Sequence, residues 1–356
     1  MEIHQLVPGL HPGDAISNHA LSLRNLLRSW GHESDIYARD VSPAVAHECR
    51  PFRTFQPWGD AITIYHYSMD FDDMTRLFMG CAGKRMFIYH NITPARYMLP
   101  YNEAVARACA EGRDRLAELR QSAAVVLGDS DFNCRELEEQ GFPDPRVLPI
   151  MVNFEELDAV SPCAAVLDKF VDAWSNFLFV GRLSPNKCQH DVIRIFAQYN
   201  RFIDRRSRLF LVGTWRGMER YHQELQRLVH DFELDDYVVF TGHVTPAELV
   251  AYYHLADLFL CMSEHEGFCV PILEAMHFDV PVLAYHAAAI PGTLGNSGVL
   301  ATRKEYALVA EMAHAMIADQ ELRDAILHAQ GRRAVDFRAA SVAARFRSYI
   351  DELIAA

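Results

Sequence analysis

Several patterns that would point to a function are missing from this 356-residue chain. No strand-like run is followed by G-x-G-x-x-G, which removes the usual dinucleotide fingerprint, and no G-x-x-x-x-G-K-[ST] marks a phosphate-cradling P-loop. Ser130, in Gly128-Asp129-Ser130, lacks the G-x-S-x-G elbow of a hydrolase nucleophile and reads as a helix-start serine. The eight cysteines form no C-x-x-C pair and keep no regular interval, so they read as reduced, mostly structural thiols of a cytosolic protein. Seventeen histidines include no H-E-x-x-H and no Cys/His cluster with ligand spacing; neither structural zinc nor any other metal is expected. Long apolar runs are absent too, and no charged-then-apolar leader precedes the first strand-like segment, so membrane contact is expected to be peripheral at most. Positive charge is in short supply: a net charge of −13 argues against nucleic acid as a partner.

What the chain does contain is enough apolar material, 50% of its residues, for sizeable cores, in a length that exceeds the usual ceiling for one of them. Short β-rich runs alternate with helical patterns throughout, which implies parallel sheets covered by helices. In the first half, strands are expected at 3–7, 34–38, 61–66, 86–90, 123–127 and 146–150, and helices at 17–30, 70–79, 102–121 and 131–140. After a less regular stretch over 153–174 the alternation restarts, with strands at 176–180, 209–212, 238–241, 258–262, 282–284 and 298–301. Helices follow at 189–202, 216–233, 246–255 and 271–277, and a last amphipathic pattern covers 342–354. Two doubly wound domains facing each other across a cleft follow, one over residues 1–166 completed by a C-terminal helix within 335–356, the other over 167–334.

In such sheets ligands bind at the carboxyl ends of strands, so the loops there carry the functional expectations. One cluster, Val180-Gly181-Arg182-Leu183-Ser184-Pro185-Asn186-Lys187, runs from a strand through a glycine turn into a helix and sets two cations where a diphosphate would be neutralised. The other, Glu264-His265-Glu266-Gly267-Phe268-Cys269-Val270-Pro271-Ile272-Leu273-Glu274, sets two carboxylates around a helix start. Pro271 suits the first helical position, leaving the amides of Gly267, Phe268, Cys269 and Val270 to face an anion. Acids that accept from hydroxyls beside an anion seat fit a nucleotide sugar, although solvated charges at a helix terminus would look the same in isolation. Tyr65-His66-Tyr67, Tyr89-His90-Asn91, Gly213-Thr214-Trp215 and Thr241-Gly242-His243-Val244 also lie at strand ends; Gly213 and Gly242, each taken singly, read as ordinary turn residues.

Gly181-Arg182 with Lys187, and Glu266 with Glu274 as a Glu-x7-Glu pair, resemble the retaining glycosyltransferases of family 4, of the bacterial surface-polysaccharide or lipopolysaccharide type, across nearly the whole chain. His90-Asn91 and residues 241–244 are supporting matches. The resemblance implies the GT-B fold, two Rossmann-like domains around a cleft. It implies that Arg182 and Lys187 hold the donor diphosphate, that Glu274 accepts from the ribose, that Glu266 sits beside the donor-sugar hydroxyls, and that the amides of Gly267, Phe268 and Cys269 contact the sugar or phosphate. His243 and Val244 would pack along the base, and His90 would approach the sugar from the other domain. Where many members have paired glycines near the amino end, this chain has His11-Pro12-Gly13-Asp14-Ala15. Gly13 is taken as the donor-side remnant of that loop, and Asp14 and His66 as acceptor-side residues. The linker also lacks its usual glycine, as Pro149-Ile150-Met151-Val152-Asn153-Phe154 shows.

By the same resemblance, the reaction moves a hexosyl group from a nucleotide-diphosphate sugar, GDP-mannose first and a UDP-hexose second, to a glycan or lipid-linked acceptor. It would proceed in the cytoplasm or at the inner membrane face. No cofactor or metal is expected, because Arg182 and Lys187 would stabilise the leaving diphosphate. Attack would come from the face that the leaving group vacates; a double displacement with Glu266 as nucleophile is the competing mechanism. A catalytically idle GT-B protein that binds nucleotide or glycan, and a sugar-nucleotide epimerase, are the competing functions.

Overall fold

The computed structural model describes residues 1–56 and 59–355, which form two compact units. The first comprises Met1–Arg96, Ala104–Val152 and Phe337–Ala356, of which Ala356 itself lies outside the described residues; the second comprises Tyr97–Glu103 and Asn153–Asp336.

Unit 1 holds a seven-stranded parallel sheet: β1 (Ile3–Leu10), β2 (Ile36–Val41), β3 (Arg50–Pro51), β4 (Ile62–Tyr67), β5 (Arg85–Tyr89), β6 (Val125–Gly128) and β7 (Arg146–Val147), in the order β3-β2-β1-β4-β5-β6-β7. All six residues of β4 are buried, as a central strand covered by helices on both faces requires. β1 runs three residues past its expected end, through Pro8. Its pairing with β4 stops at Leu6 while its pairing with β2 continues to Leu10, so the ring that cannot donate falls where one neighbour has gone. β7 stops three residues early, just before Pro149, which has no N–H to give a ladder.

Unit 2 holds a six-stranded parallel sheet: β8 (Ser175–Val180), β9 (Ser207–Val212), β10 (Val238–Gly242), β11 (Leu258–Cys261), β12 (Val282–Tyr285) and β13 (Val299–Ala301), ordered β10-β9-β8-β11-β12-β13. The helices Gln189–Phe202 and Pro246–Leu255 occupy their expected spans; the latter starts with a capping box between Thr245 and Glu248. Two helices, Tyr306–Ala318 and Gln320–Ala334, were not expected. The first is apolar around most of its circumference and carries no one-sided stripe. The second buries Gln330, whose side chain accepts from the Val282 amide and donates to the Val280 carbonyl.

The boundary expected at 166 falls after Val152 instead. Residues 153–170 fold as two short helices, Phe154–Asp158 and Ala164–Phe170, and the Cys163 amide donates to the Ala247 carbonyl of unit 2. Residues 97–103 also belong to unit 2: Tyr101 donates to Glu224 and the Asn102 amide group to the Gly217 carbonyl.

The chain returns to unit 1 through the helix Ala339–Ala355. Val342, Phe346, Ile350 and Leu353, one above another on its inner face, are at most 1% exposed and pack with Ile3, Leu27, Ile62 and Met86. Phe346→Ala is expected to destabilise unit 1 by about 3–5 kcal/mol, the range for truncating a buried aromatic. Urea unfolding followed by a unit 1 probe checks this, and a loss below about 1 kcal/mol would show that the helix is not part of that core.

Candidate active site

In each sheet the strand order reverses once, between β1 and β4 and between β8 and β11. Loops leaving the two strands at a reversal diverge to opposite faces and open a crevice between them. In unit 2 those loops carry the two sequence clusters. After β8 the chain turns at Gly181, makes the short helical turn Pro185–Lys187 and enters the next helix through Cys188, whose φ of 50° is left-handed. Buried Asn186 ties this turn to the loop after β11: its side-chain amide donates to the His265 carbonyl at 2.9 Å, and its own carbonyl accepts from the Glu264 amide at 2.8 Å.

That stitch brings Lys187 onto Glu266. The ammonium donates to both carboxylate oxygens, at 2.7 and 2.8 Å, with the two side chains 19% and 10% exposed. Burial works against the charged ammonium, yet the Glu266 carboxylate more than offsets it and holds Lys187 above the usual lysine range. Ser263 donates to Glu266 Oε1 at 2.9 Å.

The second acid, Glu274, sits in the helix Val270–His277, which begins one residue before Pro271. Burial pushes its carboxyl up, opposed by the hydroxyl of Tyr253, which donates to Oε2 at 2.6 Å, and by His277. The residue before the helix, Cys269, has a φ of 73°, a conformation that strains any side chain. Phe268 and Cys269 are buried; the Phe268 carbonyl accepts from Thr293. Arg182 is exposed and donates to the Arg216 carbonyl at 2.9 Å, on the side of its turn that faces β9. His243 is exposed and Val244 half-buried on the loop after β10.

Gly213 is more than an ordinary turn residue. The Gly181 amide donates to Val212 and the Gly213 amide to Gly242, so β8, β9 and β10 end in one laced row. A Cβ at Gly213, whose φ is 146°, would overlap the Gly181 carbonyl. Any side chain there would push the Arg182 turn away.

In unit 1, His66 at the end of β4 and His90 just after β5 share a buried polar line. Gln5 donates its amide to the Ala20 carbonyl, which turns its Oε1 toward His66 Nε2 at 2.8 Å. His66 Nε2 is therefore the donor, and burial keeps this imidazole well below the ordinary histidine range. Its Nδ1 accepts from His90 Nε2 at 2.8 Å, and His90 Nδ1 meets Asp129 Oδ2 at 3.0 Å. Burial pushes the Asp129 carboxyl up. Both nitrogens of His90 are engaged and its side chain is 0% exposed, so the imidazole could reach a sugar only by leaving Asp129 or His66. His66 is likewise enclosed and has no nitrogen left for an acceptor. Asp14 accepts from the amide and the hydroxyl of Ser17, both at 2.8 Å, and caps the helix Ala15–Ser29, which for that reason starts two residues before the expected position. Gly13 precedes it with a φ of 73° and is exposed.

Asn186, Ser263, Tyr253, Gln5 and Asp129 were not singled out from sequence. Asn186 and Ser263 lie inside or beside the two clusters, and a buried polar residue next to a strand end is the signal that would have found them. Tyr253 carries none, since it faces Glu274 from another helix.

Two doubly wound parallel units, the second with a cation held on an acid at its reversal point, define an α/β protein of the GT-B fold class. Among solved structures, sucrose-phosphate synthase from Thermosynechococcus elongatus matches with a TM-score of 0.78 over 100% of both chains at 17% identity. Anabaena HepE in complex with UDP and glucose matches at 0.75 over 99% and 100% of the two chains, at 18% identity. Residues 175–331 of the chain match the family described as Glycosyl transferases group 1. Its relatives include O-antigen chain mannosyltransferase B of Escherichia coli, 29% identical over 191 residues, which are 52% of this chain and 49% of that protein. A GDP-mannose-dependent alpha-(1-6)-phosphatidylinositol monomannoside mannosyltransferase of Mycobacterium tuberculosis is 30% identical over 44% of this chain and 41% of its own length. The chain thus spans half or less of the length of these curated relatives.

Removing one partner of a shielded ion pair strands the other charge. Glu266→Ala is expected to lower the stability of unit 2 by about 3–5 kcal/mol, while Lys187→Met combined with Glu266→Leu recovers most of the loss. Chemical denaturation of the single and double variants tests this; a double variant as unstable as Glu266→Ala would show that the pair does not act as a unit.

Proposed function

We propose that the chain is a retaining glycosyltransferase that moves a hexosyl group from a nucleotide-diphosphate sugar to a glycan or lipid-linked glycan acceptor during surface polysaccharide or lipopolysaccharide assembly. The observation that carries the reading is Lys187 seated on Glu266 at the reversal point of the unit 2 sheet, with Glu274 on the helix that follows, all inside the stretch that matches the family. Breaking the bond between anomeric carbon and phosphate builds negative charge on the departing diphosphate. Lys187, which keeps a third N–H beyond the two that serve Glu266, and Arg182 meet that charge as it grows. Glu266 takes the sugar hydroxyls and Glu274 the ribose, with the amides of residues 267–269 at the helix start.

The acceptor attacks from the face the diphosphate leaves, and its proton passes to a phosphate oxygen. Glu266 carries no covalent sugar: intact mass of the wild type or of Glu266→Gln after incubation with donor shows no adduct, and a hexosyl adduct there would replace this mechanism by double displacement. Unit 1 supplies the acceptor side, with His66 and His90 shaping the strand-end loops through their buried line and Asp14 beside Gly13 on the loop after β1. GDP-mannose is the first donor to test and a UDP-hexose the second, in line with the mannosyltransferase relatives and with the UDP complex of the HepE neighbour. No metal takes part in turnover, and the enzyme works in the cytoplasm, at the inner membrane face where its acceptor is lipid-linked. Among the described residues no helix is long and apolar enough to cross a membrane.

A thermal-shift panel of UDP, GDP, ADP and dTDP and their sugars tests the reading. At a hundredfold excess over Kd the right ligand stabilises by about 2.7 kcal/mol, a rise of roughly 5–10 °C for units of this size. Arg182→Ala and Lys187→Ala lower kcat by ~10²-fold or more, and a chelator leaves turnover unchanged. No shift with any nucleotide, together with no release of nucleoside diphosphate from any donor, would leave the glycosyltransferase reading without support.

A further inference from the structure

We propose that Cys261, Cys269 and Glu266 form a site for a thiophilic divalent cation, Zn2+ by the chemistry of its ligands. The two cysteines are eight positions apart in sequence and belong to different elements: Cys261 ends β11 and Cys269 precedes the helix Val270–His277. Both thiols and a Glu266 oxygen lie within 4.8 Å of one another, and the three residues are 1%, 8% and 9% exposed. Two sulfurs and one carboxylate oxygen are a donor set that zinc accepts, and they leave one of its four positions open. The surroundings suit the ion as well. Ser263 donates to Glu266 Oε1 and accepts weakly from the Cys261 thiol at 3.4 Å, while Lys187 fixes the carboxylate; outer partners of this kind orient metal ligands.

Charge balances without help from solvent. Binding releases one proton from each thiol, and the two thiolates cancel the charge of the ion while the Lys187–Glu266 pair stays neutral. Affinity therefore rises with pH. Cys269 holds a left-handed backbone, φ 73°, where glycine would serve the turn without strain, and its thiol lies beside that of Cys261.

On the reading proposed above, a cation held by Glu266 competes with the donor sugar, so Zn2+ is an inhibitor and not a cofactor. The direct test needs no turnover. The reduced, chelator-treated full chain is titrated with Cd2+, whose bond to thiolate gives an ultraviolet charge-transfer band. A saturable band at a single ion per chain is expected for wild type and for Cys188→Ser, which alters a separate cluster with His190 and Asp191. The band is expected to vanish in Cys261→Ala and in Cys269→Ala, and Ser263→Ala should weaken binding by about 10–100-fold. No saturable band on wild type, or a band that survives loss of both cysteines, overturns the site. Should a cysteine variant fail to fold, zinc X-ray absorption on the wild type decides: two sulfur neighbours support the site and none refutes it. A Cd2+ band in a chain that binds no nucleotide sugar would leave the metal site standing and remove the glycosyltransferase reading.

Discussion

A lysine held by an acid in a shielded crevice is the constraint around which unit 2 is arranged. An ammonium that deep in the protein is tolerated only with a partner at hydrogen-bond distance, and Glu266 supplies both of its oxygens. Neither residue finds the other through its own secondary structure. Their loops leave β8 and β11, adjacent strands whose following elements diverge, and Asn186 spans the gap with one side-chain and one backbone hydrogen bond. At Gly213 a side chain would overlap the Gly181 carbonyl, so the ends of β8 and β9 approach each other as closely as they do only because glycine stands there.

Unit 1 meets a related demand with a line of buried polar side chains. Gln5, His66, His90 and Asp129 form an unbroken line from the third residue of β1 across the carboxyl ends of β4, β5 and β6, and the orientation of the Gln5 amide fixes which nitrogen of each imidazole carries hydrogen until the line reaches Asp129. There, a buried imidazole nitrogen lies 3.0 Å from a buried carboxyl oxygen. His19 stands edge-on to both histidine rings and takes the Met151 amide on Nδ1, while its Nε2–H meets no acceptor among the described residues. Such a line stiffens the strand ends, and it leaves its histidines little freedom to act elsewhere.

Strand and helix periodicity carried most of the fold, because in parallel sheets the buried strands are short apolar runs and the turns between them are marked by glycine, proline or a capping residue. It failed where those signals are weak. The helix Tyr306–Ala318 is too uniformly apolar to show a stripe, and β7 looked longer than it is because Leu148 and Ile150 continue the pattern past Pro149. Within the site, Arg182, Lys187, Glu266 and Glu274 were legible from their spacing around strand ends. The pairing of Lys187 with Glu266 was not, since 79 residues separate them and only the β8–β11 adjacency joins them. His66 and His90 were legible as strand-end residues, but whether an imidazole faces a ligand or a neighbour depends on tertiary partners, here Gln5 and Asp129, that carry no local signature.

The Lys187–Glu266 pair also bears on how the proposed chemistry would be gated. Lys187 is already paired with Glu266, so on the proposed chemistry an incoming diphosphate would compete with a carboxylate for the ammonium. A sugar whose hydroxyls donate to Glu266 lessens that competition, because the carboxylate then shares its lone pairs and loosens its hold on Lys187. The intact donor would thus engage the lysine more fully than its nucleoside diphosphate alone. Since a stabilising contact raises the rate only if it strengthens toward the transition state, such an exchange would favour the proposed catalysis. On the proposed chemistry, the growing charge on the departing phosphate would draw Lys187 away from Glu266 as the sugar ring, turning positive, would draw Glu266 toward itself.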